Sequence, residues 1–118
     1  MVRRLAILAV LALGVFTRPA AAFFPEPGFY WNTGESGTGY AIELQDNFLF
    51  LATYTYLPNG QAVFYTSGGF LTNDTTYTGV INQFSGGSCI TCTPFTPPGT
   101  GQNVGTVTIV FDTEQSAN

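Results

Sequence analysis

The chain has no histidine and no lysine, and its only cations are Arg3, Arg4 and Arg18. All three precede Ala22, whereas all seven acids (Glu26, Glu35, Glu43, Asp46, Asp74, Asp112 and Glu114) follow it. From Phe23 onward there are therefore seven acids and no base, a side-chain charge of −7. A surface without cations cannot neutralise phosphates, which argues against nucleic acid, anionic lipid and phosphate ligands. Without His or Lys there is no general base for a Ser or Cys nucleophile. Two cysteines and no histidine cannot supply the usual four ligands of structural zinc, and the Cys-x-x-Cys spacing lacks the nearby cation of a redox pair. Also missing after Ala22 is any capped stretch of helical periodicity.

The three arginines have a reading of their own. Arg3 and Arg4 form a positive n-region, Leu5 to Phe16 an apolar h-region, and Ala20-Ala21-Ala22 a small-residue cleavage site. The apolar run is shorter than the ~20 residues that span a bilayer, so an export signal over 1–22 is expected rather than an anchor. No cysteine sits at the cleavage point, and the arginine pair lacks twin-arginine context, so the expectation is Sec export to the periplasm or outside. No membrane attachment is expected after cleavage. Residues 23–118 are then one small domain with a modest core.

What is abundant is strand signal. Gly39 to Gly69 holds three runs rich in β-branched, aromatic and leucine residues, divided by Asp46-Asn47 and by Leu57-Pro58-Asn59-Gly60. This predicts three antiparallel strands in tight hairpins. A two-residue loop at Asp46-Asn47 pairs Gln45 with Phe48, Leu44 with Leu49, Glu43 with Phe50 and Ile42 with Leu51. Pro58 suits position i+1 of a type I turn and Gly60 the left-handed residue after it. One face then carries Tyr40, Ile42, Leu44, Leu49, Leu51, Thr53, Thr55, Val63 and Tyr65. The other carries Glu43, Phe50, Ala52, Tyr54, Tyr56, Ala62 and Phe64.

Elsewhere, Phe29–Trp31 is expected as a short aromatic strand and Asn32 to Gly39 as a turn-rich connection. Gly68-Gly69 is expected to close the third strand of the unit, with Phe70–Thr72 a separate short strand before an Asn73-Asp74 turn. Thr75–Ile81 and Val104–Phe111 are further strands, with Gly79 marking a bulge or a close approach. The result is an all-β antiparallel meander of about six or seven strands, closing as a small barrel or a sandwich. Val104–Phe111, if it lies at an edge, is long, apolar and poorly guarded. In an exported protein Cys89 and Cys92 are expected to form a disulfide, with no metal or other cofactor implied.

Trp31-Asn32, Ser36-Gly37-Thr38-Gly39-Tyr40, Glu43, Leu49-Phe50, Tyr54-Thr55-Tyr56, Gly60, Phe64-Tyr65 and Ser67-Gly68 together resemble the motif set of a family of exported bacterial β-meander proteins of unassigned activity. The resemblance covers about Phe29 to Phe111. It implies a secreted module, sometimes repeated within longer proteins, and supplies no catalytic residues. Two departures stand out: Phe64 occupies a position where Trp is frequent, and family members continue with further strands beyond Val104–Phe111. The second raises the reading of a C-terminally truncated or frameshifted copy.

The candidate ligand-binding residues are Trp31, Glu43, Phe50, Tyr54, Tyr56 and Phe64. Flat rings beside one carboxylate suit a neutral glycan or a peptide. The opposing reading, favoured because contiguous exposed aromatics are unusual on a monomer, is that this face is one wall of the core. Glu35 and Glu43 are the only pair to weigh as a glycosidase acid and base, but Glu35 lies in a Gly/Ser-rich turn where a solvated side chain is the default. Asp46-Asn47 and Asn73-Asp74 are explained by turn chemistry rather than calcium. The expected function is therefore a non-enzymatic exported binding module. Its alternative is a structural module that self-associates through the C-terminal strand.

Overall fold

The computed structural model describes residues 22–118. The export signal expected over 1–22 lies outside the described residues except for Ala22. Seven strands follow in chain order: β1 Gly28–Tyr30, β2 Gly39–Gln45, β3 Phe48–Tyr56, β4 Ala62–Phe70, β5 Thr76–Gln83, β6 Gln102–Thr113 and β7 Ser116–Ala117. They form one antiparallel sheet in the order β1-β2-β3-β4-β5-β6-β7. The sheet curls into a nearly closed barrel with one unsealed seam. No helix occurs among the described residues.

Turn chemistry sets the register. Asp46 adopts φ 54°, a left-handed conformation that Asp tolerates, and the β2–β3 hairpin pairs Gln45 with Phe48, Glu43 with Phe50 and Ile42 with Leu51, as the two-residue loop requires. In the β3–β4 hairpin the Gly60 amide donates to the Leu57 carbonyl at 2.8 Å and the Leu57 amide to the Gln61 carbonyl at 2.9 Å. Gly60 at φ 84° completes the turn, and Tyr56 faces Ala62.

Other boundaries differ from expectation. Gly68 and Gly69 do not end a strand: they remain in β4 opposite Phe50 and Leu49, and β4 runs on to Phe70 opposite Phe48. The separate strand expected over Phe70–Thr72 is therefore absent. The exposed flanks of the two glycines are covered by rings, Phe48 on one face and Tyr77 on the other, each 3.4 Å from where a Cβ would stand. Gly79 marks a close approach rather than a bulge. The irregularity in the β5–β6 ladder falls at Ile81/Asn82 instead. β6 is longer than Val104–Phe111, and the polar tail supplies the unanticipated β7.

Side chains alternate across the sheet, and the aliphatic face turns inward. Ile42, Leu49, Leu51, Tyr77, Ile109 and Phe111 are buried, with Phe23, Tyr30, Leu44, Leu71, Val107 and Ala117 packed around them. Between β4 and β5 the ladder is thin, with Thr66 opposite Asn82 as its registered pair. The buried Ser67 hydroxyl reinforces it, donating to the Val80 carbonyl at 2.6 Å and sharing a 2.7 Å hydrogen bond with the Tyr77 hydroxyl. A buried hydroxyl without partners would be costly, and this one has two.

The barrel has two dissimilar ends. At one end the turns after β2, β4 and β6 meet the segment before β1, gathering Glu26, Asp46, Asp74, Asp112 and Glu114. The seam is bridged there: the Glu26 amide donates to the Glu114 carbonyl at 2.7 Å, and Gln115 Nε2 donates to the Glu26 carboxylate at 2.8 Å. Tyr30 packs edge-on against Phe111 at 6.0 Å and donates its hydroxyl to the Glu26 carbonyl. Burial, and next the Glu26 carboxylate, push that hydroxyl above its ordinary pKa, keeping it protonated as a donor.

The other end carries the loops after β1, β3 and β5, and Glu35 is its only acid. The longest of these loops, residues 84–101, contains the Cys89–Cys92 disulfide. The Ser88 amide and the Thr96 carbonyl (3.0 Å), and the Gly99 amide and the Ser85 carbonyl (3.0 Å), close the loop on itself. Both cysteines are exposed and no residue of the loop enters the core. Replacing Cys89 and Cys92 by Ala should therefore cost less than about 1 kcal/mol in urea unfolding, the low end for a disulfide. A loss of several kcal/mol would show that the loop supports the barrel.

Candidate functional site

The aromatic face is the outer face of the barrel, which corrects the reading of it as a core wall. Phe50 (46 %), Tyr54 (48 %), Tyr56 (52 %) and Phe64 (49 %) are each about half exposed. The reason lies in the small outward neighbours, Ala41, Ala52, Ala62, Thr66 and Gly68, which leave the rings little to bury against.

Two shallow open grooves lie on this face. The first, of about 310 Å³, is lined by Pro27, Gly28, Phe29, Ala41, Glu43 and Phe50, together with Ile42. It unites two of the expected residues, Glu43 and Phe50, which are direct cross-strand partners. The second, of about 240 Å³, is lined by Tyr54, Tyr56, Ala62 and Phe64, with Gly37 at its rim. Tyr54 and Phe64 are cross-strand partners, and Tyr56 faces Ala62. Gly37, at φ 87°, brings the β1–β2 loop down onto the Tyr56 ring, where a Cβ would stand 3.2 Å from the hydroxyl. Along β3 the four-residue step from Phe50 to Tyr54 separates the two grooves by about 13 Å.

Trp31 is not brought into either groove. It follows β1 in the loop and is 67 % exposed. Glu35 and Glu43 share no groove: Glu35 belongs to the loop turn, where its amide donates to the Asn32 carbonyl at 2.9 Å and its carbonyl accepts from the Thr38 hydroxyl at 2.8 Å. Glu43 stands in mid-strand on β2. Among the described residues no three acidic, cysteine or histidine side chains gather as a metal-binding group.

The structure adds three aromatics to this face. Phe29 stands opposite Ala41 and is the most exposed of them, and Phe48 and Phe70 pack edge to face at 5.3 Å beside Gly68. The extension of β4 through its glycines places Phe70 there. The register of β1 depends on the Asn32–Gly39 connection, which is too long to dictate it. Against this geometry stand the comparisons with known proteins: no family model, no curated protein and no solved structure matches the chain.

Proposed function

We propose that this chain is an exported, non-enzymatic β-module that binds a neutral glycan on the outer face of β2–β4. The observation that carries the reading is the row of half-exposed rings around two open grooves, with one carboxylate among them. Sugar rings present apolar C–H faces that lie on aromatic side chains, and their hydroxyls donate to a carboxylate such as Glu43. Seven acids and no cation from residue 23 onward disfavour an anionic polysaccharide. The grooves are shallow and open, which suits a chain lying along the sheet better than a small molecule needing enclosure. Export through Sec, to the periplasm or beyond, belongs to the same proposal and would place the module where such polymers are found.

The test is titration with neutral oligosaccharides, followed by amide chemical shifts. Tyr54→Ala combined with Phe64→Ala should weaken binding at least about tenfold. Because both rings lie outside the core, the variant should keep its melting temperature within a few degrees. Unfolding of the double variant, or saturable binding of uncharged peptides with none of glycans, would sink the reading.

A further inference from the structure

The seam has unequal sides. β6 is twelve residues long, but β7 covers it only from Val110 to Thr113. β1, across the seam, is three residues long and shares no ladder pair with β6. The edge of β6 from Gln102 to Ile109 is therefore uncovered among the described residues.

Hydrogen-bond alternation tells which groups point out of that edge. The Phe111 amide donates to the Thr75 carbonyl, toward β5, while Val110 exchanges 2.9 Å bonds with Asn118 on the opposite side. In an antiparallel strand these directions alternate residue by residue. Val107 and Ile109 thus bond to β5, and the N–H and C=O of Thr106 and Thr108 point into the open seam. Two usual guards of an edge, charge and proline, are missing from Gln102 to Phe111, and the ladder irregularity opposite Ile81/Asn82 falls before Thr106.

We infer that this edge pairs with the same edge of a second copy, antiparallel about a two-fold axis. The alignment that satisfies both threonines sets Thr106 opposite Thr108 of the second copy and Val107 opposite its own counterpart, and stops where β7 covers Val110. Charge layout favours this direction. Antiparallel pairing lays the end carrying Glu26, Asp46, Asp74, Asp112 and Glu114 beside the other copy's end, where Glu35 is the only acid. Parallel pairing would stack the two acidic ends. Edge lengths favour a closed pair over a fibre. A β6-to-β1 contact would repeat without end, but β1 offers only Gly28–Tyr30, whereas the β6-to-β6 contact is self-complementary and terminates at two copies.

The experiment is sedimentation equilibrium on the chain from Phe23 to Asn118, recovered after export and studied over roughly a hundredfold range of concentration. The expected result is a reversible rise from one to two chains that stops at two. Thr106→Pro removes an amide that β5 does not use, and should hold the protein at one chain at every concentration. Thr106→Lys with Thr108→Lys, which sets like charges across the pair on an exposed face, should do the same and serves if the proline variant does not fold. The glycan-face variant Tyr54→Ala/Phe64→Ala should still form the pair. A wild-type protein that stays at one chain, growth beyond two, a pair that persists in the folded lysine variant, or a pair lost in the glycan-face variant instead would each overturn the inference.

Discussion

Replacing Gly79 by Ala is expected to cost about 3 kcal/mol or more in chemical denaturation, out of the roughly 5–15 kcal/mol available to a domain of this size. A Cβ at this position would collide with the Tyr77 hydroxyl and lie 2.8 Å from Ser67 Oγ. Neither neighbour can step aside, because Tyr77 is 1 % and Ser67 2 % exposed, and they are hydrogen-bonded to each other. Any shift of the ring breaks that bond and disturbs the Ser67 contact with the Val80 carbonyl, where the β4–β5 ladder is thinnest. Tyr77→Phe provides the control. It removes the hydroxyl while Ser67 keeps its carbonyl acceptor, so the expected cost is about 1 kcal/mol. The two changes should be non-additive, with Gly79→Ala less harmful when combined with Tyr77→Phe, because the nearest colliding atom has gone. A cost below about 1 kcal/mol for Gly79→Ala alone would show that the ring does not lie over the glycine.

Leu49→Ala and Phe50→Ala, adjacent on β3, should behave oppositely. Leu49 is 0 % exposed in a core of six buried apolar side chains, and its truncation should cost about 3 kcal/mol. For a domain this size that lowers the melting temperature by roughly 12–24 °C. Phe50 is half exposed beside Glu43, and its removal should cost less than about 1 kcal/mol while weakening the proposed glycan binding about tenfold. Calorimetry and titration on the two variants decide the matter. Equal destabilisation would mean that the outer face is packed against something in solution.

The faces were legible in the residues because register is a local property. Asp46-Asn47 and Pro58 with Gly60 determine which residues stand opposite, and a slip of one would have exchanged every side chain between faces. Which face turns inward is not local. It follows from how the sheet closes, and closure brings Tyr77, Ile109 and Phe111 from the far half of the chain onto Leu49 and Leu51. With aliphatic side chains and Tyr77 filling the interior, the aromatic row of β3 and β4 is left outside. Gly68-Gly69 misled for a related reason. Glycine pairs signal turns, but here rings from β3 and β5 cover them and the strand continues. β7, two residues in a polar tail, has no signature of its own. The candidate site was legible as a set of rings, and its division into two grooves depends on Gly28 and Gly37, which only the folded β1–β2 segment brings into place.

The strictly sequential strand order has a kinetic consequence. Every ladder joins neighbours in the chain, so each hairpin can form as soon as its two strands are available, with residues 84–101 the longest loop to close and no wait for distant partners. The exception is the contact of Glu26 and Tyr30 with Phe111, Glu114 and Gln115, which spans nearly the whole domain. Bringing those ends together carries the largest loop-closure entropy and is expected to be the last event of folding. It is then also the first to reverse, and amide protons of β1 and β7 should exchange with solvent long before those of β3.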